Sequence, residues 1–174
     1  MTAGRFLAGI TGHDNDFQLV AEALTAAGEP FCLIGGLAVN NYVEPVVTLD
    51  AAFAVAGHTQ VAAALRERGF KVEEHPHSLN AQLPGSRLCV QVTLDARYRE
   101  FPSRGVMGEV FGVCLPVAAL EDLVQGKLWA LADPERRASK KATDKADLIR
   151  ICESHPRIVK LIPLGLLPEV DQMR

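Results

Sequence analysis

One stretch limits what this chain can fold into more than any other. Phe31-Cys32-Leu33-Ile34 is a short apolar run that breaks at Gly35-Gly36, and Leu37-Ala38-Val39 follows at once. After Pro45-Val46-Val47-Thr48-Leu49 a second apolar run opens on a lone carboxylate, Asp50, and continues Ala51-Ala52-Phe53-Ala54-Val55. Apolar runs this short, bounded by turn residues, read as buried strands. The glycine pair reads as a tight turn into a short helix over residues 37–42, which Pro45 ends by forcing extended backbone ahead of it. Side chains alternate along a strand, so residues 50 and 52 share one face, and they are an aspartate and an alanine.

The rest of the chain supplies layers for these strands. Phe17, Val20, Ala21 and Leu24 recur at helical spacing behind Asp14 or Asn15 as a cap, with Gly28 as the stop. Residues 59–68 form an amphipathic helix on Val61, Ala64 and Leu65, closed by Gly69. Residues 70–74 read as a third strand, and residues 79–83 and 87–94 as a hairpin around Pro84-Gly85-Ser86. In its second arm Leu88, Val90, Val92 and Leu94 share one face, and Arg87, Cys89, Gln91, Thr93 and Asp95 the other. Residues 109–115 read as one further strand. Helices follow over 117–131, on Leu120, Leu123, Val124, Lys127, Leu128 and Leu131, and over 142–152. Residues 163–174 read as a loosely docked tail. This order predicts an α/β (α+β) fold, a mixed sheet flanked by helices with a C-terminal helical part. The expected division is a core of residues 1–116 and a helical extension, 117–174, packed on it.

Composition narrows the classes. With 174 residues, 48% hydrophobic and 22% charged, the chain can bury a core and is not a disordered one. A net charge of −3 gives no global field for nucleic acid or an anionic membrane, so such contact needs a local patch. No run approaches the ~20 apolar residues of a membrane span. Cys32, Cys89, Cys114 and Cys152 form no C-x-x-C pair and read as buried free thiols in a reducing, cytoplasmic setting.

The Gly-Gly turn followed by Thr48-x-Asp50 at the head of an apolar strand resembles the nucleotidyltransferase superfamily with the polymerase-beta-like fold. More narrowly, Leu115-Pro116-Val117-Ala118-Ala119-Leu120-Glu121-Asp122-Leu123-Val124-Gln125-Gly126-Lys127-Leu128-Trp129-Ala130-Leu131 resembles its AbiEii-like, bacterial abortive-infection toxin branch. So does the sequel of Arg136-Arg137, Lys140-Lys141 and Asp144-x-x-Asp147. The likeness spans roughly residues 30 to 152. It implies a nucleoside triphosphate substrate, Mg²⁺, an RNA or protein acceptor hydroxyl and an antitoxin-like partner protein. It assigns phosphate contacts to Gly35, Gly36, Thr48, Lys127 and Asp144, and the catalytic metal ligand to Asp50.

Against that pattern the chain departs at three places. Such enzymes carry acid-x-acid on this strand, because residues i and i+2 can reach one cation pair and two divalent ions can clamp an in-line displacement. Here the second acid is Ala52. The third acid aligns with Gln91, and an arginine two residues before the threonine is Val46. A neutral amide is a poor ligand for a hard cation, and alanine is none. Asp95 lies on the Gln91 face and is a candidate displaced ligand, but four strand residues is ~13 Å. The sequence therefore predicts nucleotide binding with weak or lost transferase activity. The alternatives are an active toxin moving a nucleoside monophosphate to RNA or protein, and a non-enzymatic interaction module.

Other features carry two readings each. Lys127 is a phosphate contact or a snorkelling lysine at the core edge. The basic run 136–145 is a phosphate- or RNA-facing patch, or a solvated helix face whose Asp–Lys pairs contribute little. His75-Pro76-His77 lacks further ligands at metal spacing and reads as a surface loop, and Trp129 reads as core.

Overall fold

The computed structural model describes Gly12 and residues 15–174. Helix α1 (Asp16–Ala26) leads to β1 (Phe31–Ile34), the five-residue α2 (Gly35–Val39), β2 (Asp50–Val55) and α3 (Val61–Glu67). Three strands follow, β3 (Lys71–His75), β4 (Ser78–Gln82) and β5 (Cys89–Thr93), then a 3₁₀ turn at Ala96–Tyr98 and α4 (Phe101–Arg104). The hairpin β6 (Val106–Val110) and β7 (Val113–Val117) precedes α5 (Leu120–Ala132), α6 (Ala138–Ser154), a 3₁₀ segment at Pro156–Leu161 and α7 (Pro168–Asp171). The predicted mixed α/β architecture holds.

Among the described residues the seven strands form one sheet in the order β3-β4-β5-β2-β1-β7-β6. The apolar runs sit at its centre: β1 pairs antiparallel with β2 and parallel with β7, and β2 pairs parallel with β5. Alternation sorts the two faces. Ala51, Phe53, Val90 and Val92 are buried against α1 and α3, where Phe17, Leu24 and Leu65 are also buried. Asp50, Cys89 and Gln91 on the same strands are exposed.

Five expectations change. Residues 109–115 are not one strand; they span the β6–β7 hairpin, whose Phe111-Gly112 turn has positive φ at both residues (53° and 80°). The ring of Phe111 packs edge-on to Phe17, with centroids 5.7 Å apart, which offsets the strain of a bulky residue there. Residues 163–174 are docked: Leu167 and Val170 are buried, and Arg174 donates to the Ile162 carbonyl. The helix after the glycine pair starts at Gly35 and ends at Val39, short of residue 42. Asn15 occupies the α1 cap position without a side-chain bond, and Asp14 lies outside the described residues. Buried Asp16 performs a cap's work instead, accepting from Phe17 N–H at 2.8 Å and from Ser86 Oγ at 2.7 Å. Only two of the four thiols are buried. Burial pushes Cys32 up to about 12, with Asp122 adding to the rise, and raises Cys152, whereas Cys89 and Cys114 point outward from their strands.

Candidate functional site

The open face of the sheet is a grid set by strand register. Asp50 lies beside Cys89, and Ala52 beside Gln91, which is in turn beside Asn80, itself paired with Glu73. Loop 40–49 carries the chain to Asp50. The Asn40 side chain holds that loop by donating to the Val46 carbonyl at 2.8 Å and accepting from Val46 N–H at 3.0 Å. Thr48 Oγ1 accepts from Asp50 N–H at 3.2 Å. Gly35 has φ +72°, a conformation glycine adopts without steric cost, and a Cβ built there would lie 3.3 Å from Ala52 Cβ. Position 52 therefore faces the glycine turn, and a Cβ at Gly36 would meet Thr48 Cγ2 at 3.7 Å.

Helices α5 and α6 make the opposite wall. Asp144 and Asp147, three residues apart, share one face of α6, and Lys127 reaches between them from α5. Its ammonium lies 2.9 Å from Asp144 Oδ1 and 2.7 Å from Asp147 Oδ2. Arg136 pairs with Asp144 Oδ2 at 2.5 Å, and Arg150 with Asp147 Oδ1 at 2.9 Å. All three central groups are buried, with Lys127 8% and Asp144 1% exposed, so each charge must be paired to be tolerated. Arg150 also donates to the Glu44 carbonyl, tying this cluster to the loop that delivers Asp50. A further contact joins α6 to the head of β2: Lys140 Nζ donates to Asp50 Oδ2 at 2.5 Å.

Between the walls lies a cleft of about 940 Å³, large enough for a nucleotide. Gly35, Gly36, Thr48, Asp50, Lys127 and Asp144 all line it, although they span more than a hundred residues of sequence. Asp95 does not line it. It sits past the far end of β5, where its carboxylate takes Arg97 N–H at 2.9 Å and the Arg97 guanidinium at 2.7 Å. Those bonds hold its carboxyl below the usual aspartate value. Arg97 in turn lies 5.0 Å over the Trp129 ring, which stacks on Phe101, so this corner is structural. Sequence reasoning grouped Lys140 with a general basic patch and missed its pairing with Asp50. It also missed Asn40 and Arg150, because none of the three carries a local signal.

The donor set beside Asp50 does not fit a pair of divalent cations. Ala52 offers no oxygen, Gln91 offers a neutral amide, and one Asp50 oxygen already accepts from Lys140. Among the described residues no cluster of three or more His, Cys, Asp or Glu is placed to hold a metal ion. Nor is any described helix long and apolar enough to cross a membrane.

No family model and no curated protein matches the sequence. Solved structures do match the fold. The antibiotic-resistance factor ANT(2'')-Ia in solution is 17% identical, with a TM-score of 0.57 over 91% of this chain and 86% of that one. A crystal structure of ANT(2'')-Ia in complex with adenylyl-2''-tobramycin is 16% identical, with a TM-score of 0.57 over 83% and 91%. The lincosamide adenylyltransferase LnuA with lincomycin bound is 13% identical, with a TM-score of 0.52 over 78% and 95%. The chain thus has the nucleotidyltransferase fold, as the glycine turn and Thr48-x-Asp50 imply.

Proposed function

We propose that this protein binds a nucleoside triphosphate in the cleft between the sheet and helices α5 and α6, and that its transferase activity is weak or lost. In this reading the phosphates lie against Gly35, Gly36 and Thr48, with Asp50 and the Lys127–Asp144 cluster framing them. One observation carries the reading. Ala52 and Gln91 stand side by side on the open face next to Asp50, the places where two more acids would be needed. Phosphoryl chemistry on such a fold depends on positioning and on neutralising charge, so a site without those acids keeps the grip and loses most of the rate.

The finer assignment follows the sequence likeness of residues 115–147 to AbiEii-like toxins. It makes the protein a bacterial, cytoplasmic relative of toxin–antitoxin nucleotidyltransferases with an antitoxin-like neighbour as partner. Any residual transfer would then go to an RNA or protein hydroxyl. Incubation with α-labelled ATP, CTP, GTP and UTP, Mg²⁺ or Mn²⁺, bulk tRNA and cell protein tests the activity. The expected outcome is no label above background although a nucleotide binds by calorimetry. Robust transfer abolished by Asp50→Ala would refute the proposal.

A further inference from the structure

The Lys140–Asp50 pair has a consequence for how phosphate is held. Lys140 comes from α6, ninety residues from its partner, and spans the cleft to reach the carboxylate at the head of β2. Both residues are substantially exposed, at 39% and 54% of the side chain, so the pair adds little to folding stability. Its effect is on the field inside the cleft. Unpaired, Asp50 would repel a triphosphate. Paired, it is neutral; the hub on the facing wall carries Lys127, Arg136 and Arg150 on two carboxylates, Asp144 and Asp147, and Lys71, Glu73, Asp133, Glu135 and Arg137 complete the charged lining. An ammonium at 2.5 Å from Asp50 occupies the space a cation would need against the same oxygen, and the neighbouring positions 52 and 91 offer no charged oxygen to recruit one.

We infer that the cleft takes a nucleoside triphosphate as the metal-free polyanion, with the Lys140 ammonium acting where a divalent cation would otherwise bridge Asp50 and the phosphates. This rests on the nucleotide-binding reading above and goes beyond it by fixing the ionic form of the ligand. Lys140 has three donor hydrogens and spends one on Asp50, which leaves donors for phosphate oxygens. Mg²⁺ should then compete for the phosphates rather than assist. The Asp50–Lys140 pair makes the protein side neutral toward Mg²⁺, and chelating the ion frees phosphate oxygens for Lys140 and Arg136.

Calorimetric titration of the full chain with ATP, CTP, GTP and UTP, each in excess Mg²⁺ and in EDTA, tests this directly. The expected result is that the nucleotide that binds does so in EDTA at least as tightly as in Mg²⁺. Lys140→Met should weaken binding in EDTA about tenfold, one charge-assisted hydrogen bond's worth of affinity. The same variant releases Asp50, so Mg²⁺ should now restore part of the lost affinity. Asp50→Asn removes a negative charge that faces the phosphates and should tighten binding in EDTA; weaker binding in EDTA overturns the inference. Binding by the wild type in Mg²⁺ that is lost in EDTA overturns the inference and leaves the nucleotide-binding reading intact. So does a Lys140→Met variant that is folded and binds like wild type in EDTA. Absence of binding by all four nucleotides in both buffers overturns this inference and the nucleotide-binding reading together.

Discussion

At the scale of single residues, the cleft is defined by what three side chains omit. Gly35 omits a Cβ, Ala52 a carboxylate and Gln91 a charge. Gly35 was legible because a glycine pair between two apolar runs needs backbone freedom, and its φ of +72° bears that out. Gly35→Ala forces an L-residue into the left-handed region and brings two Cβ atoms to 3.3 Å. It should cost about 1–2 kcal/mol in a denaturant melt and weaken nucleotide binding with it. Asp95 reads in sequence as a candidate ligand, four residues from Gln91. Its partner Arg97 lies only two residues on, but nothing in the sequence shows that the chain leaves the strand at Thr93 and turns there. Because Arg97 holds the Asp95 carboxyl below its unfolded value near 4, its stabilisation is present above about pH 4 and fades as pH falls through the lower folded value. Asp95→Asn should therefore cost about 1 kcal/mol at pH 7, through the lost cap and ion pair, and the gap from wild type should close as pH falls below about 4 in acid titrations followed by circular dichroism.

Between elements, the decisive contacts join α5, α6 and the loop before β2. The helical spacing of residues 120–131 and of Asp144-x-x-Asp147 made both helices legible. It left open whether Lys127 faces phosphate or the core edge. Lys127 is buried between two carboxylates while still lining the cleft, so its first task is to neutralise them. Two lysine variants should separate the two kinds of pair on this wall. Lys127→Met leaves Asp144 and Asp147 buried with one cation each and should cost about 3 kcal/mol of stability. Lys140→Met breaks an exposed pair and should cost about 1 kcal/mol or less. Chemical denaturation of both variants in one buffer is the measurement, and equal costs would mean that the Lys127 cluster is not the buried hub described. The β6–β7 hairpin escaped sequence reasoning for a definite reason. Its turn is Phe111-Gly112 rather than an Asn-Gly or Asp-Gly pair, and the phenylalanine is held there by contact with Phe17, a tertiary effect. The docked C-terminal segment escaped for another reason: Leu167 and Val170 are a single apolar pair at helical spacing, too short a pattern to show a period.

Across the whole molecule, the strand order and the cleft come from one arrangement. Two apolar runs at the centre of the sheet place Gly35 and Asp50 at the same edge, and the C-terminal helices close over them. That much followed from the glycine turn, Thr48-x-Asp50 and the helical tract 115–131 read together. The Lys140–Asp50 contact did not, because a pairing across ninety residues leaves no local trace. The central claim is that this cleft still grips a triphosphate although Asp50 stands without the second and third acids at positions 52 and 91. Crystals soaked separately with ATP, CTP, GTP and UTP measure that most directly. Phosphate density within hydrogen-bonding distance of the Gly35–Gly36 backbone and facing Asp50 and Lys140 is the predicted result; a nucleotide bound elsewhere on the surface, or the cleft closed to all four at saturating concentration, would contradict it.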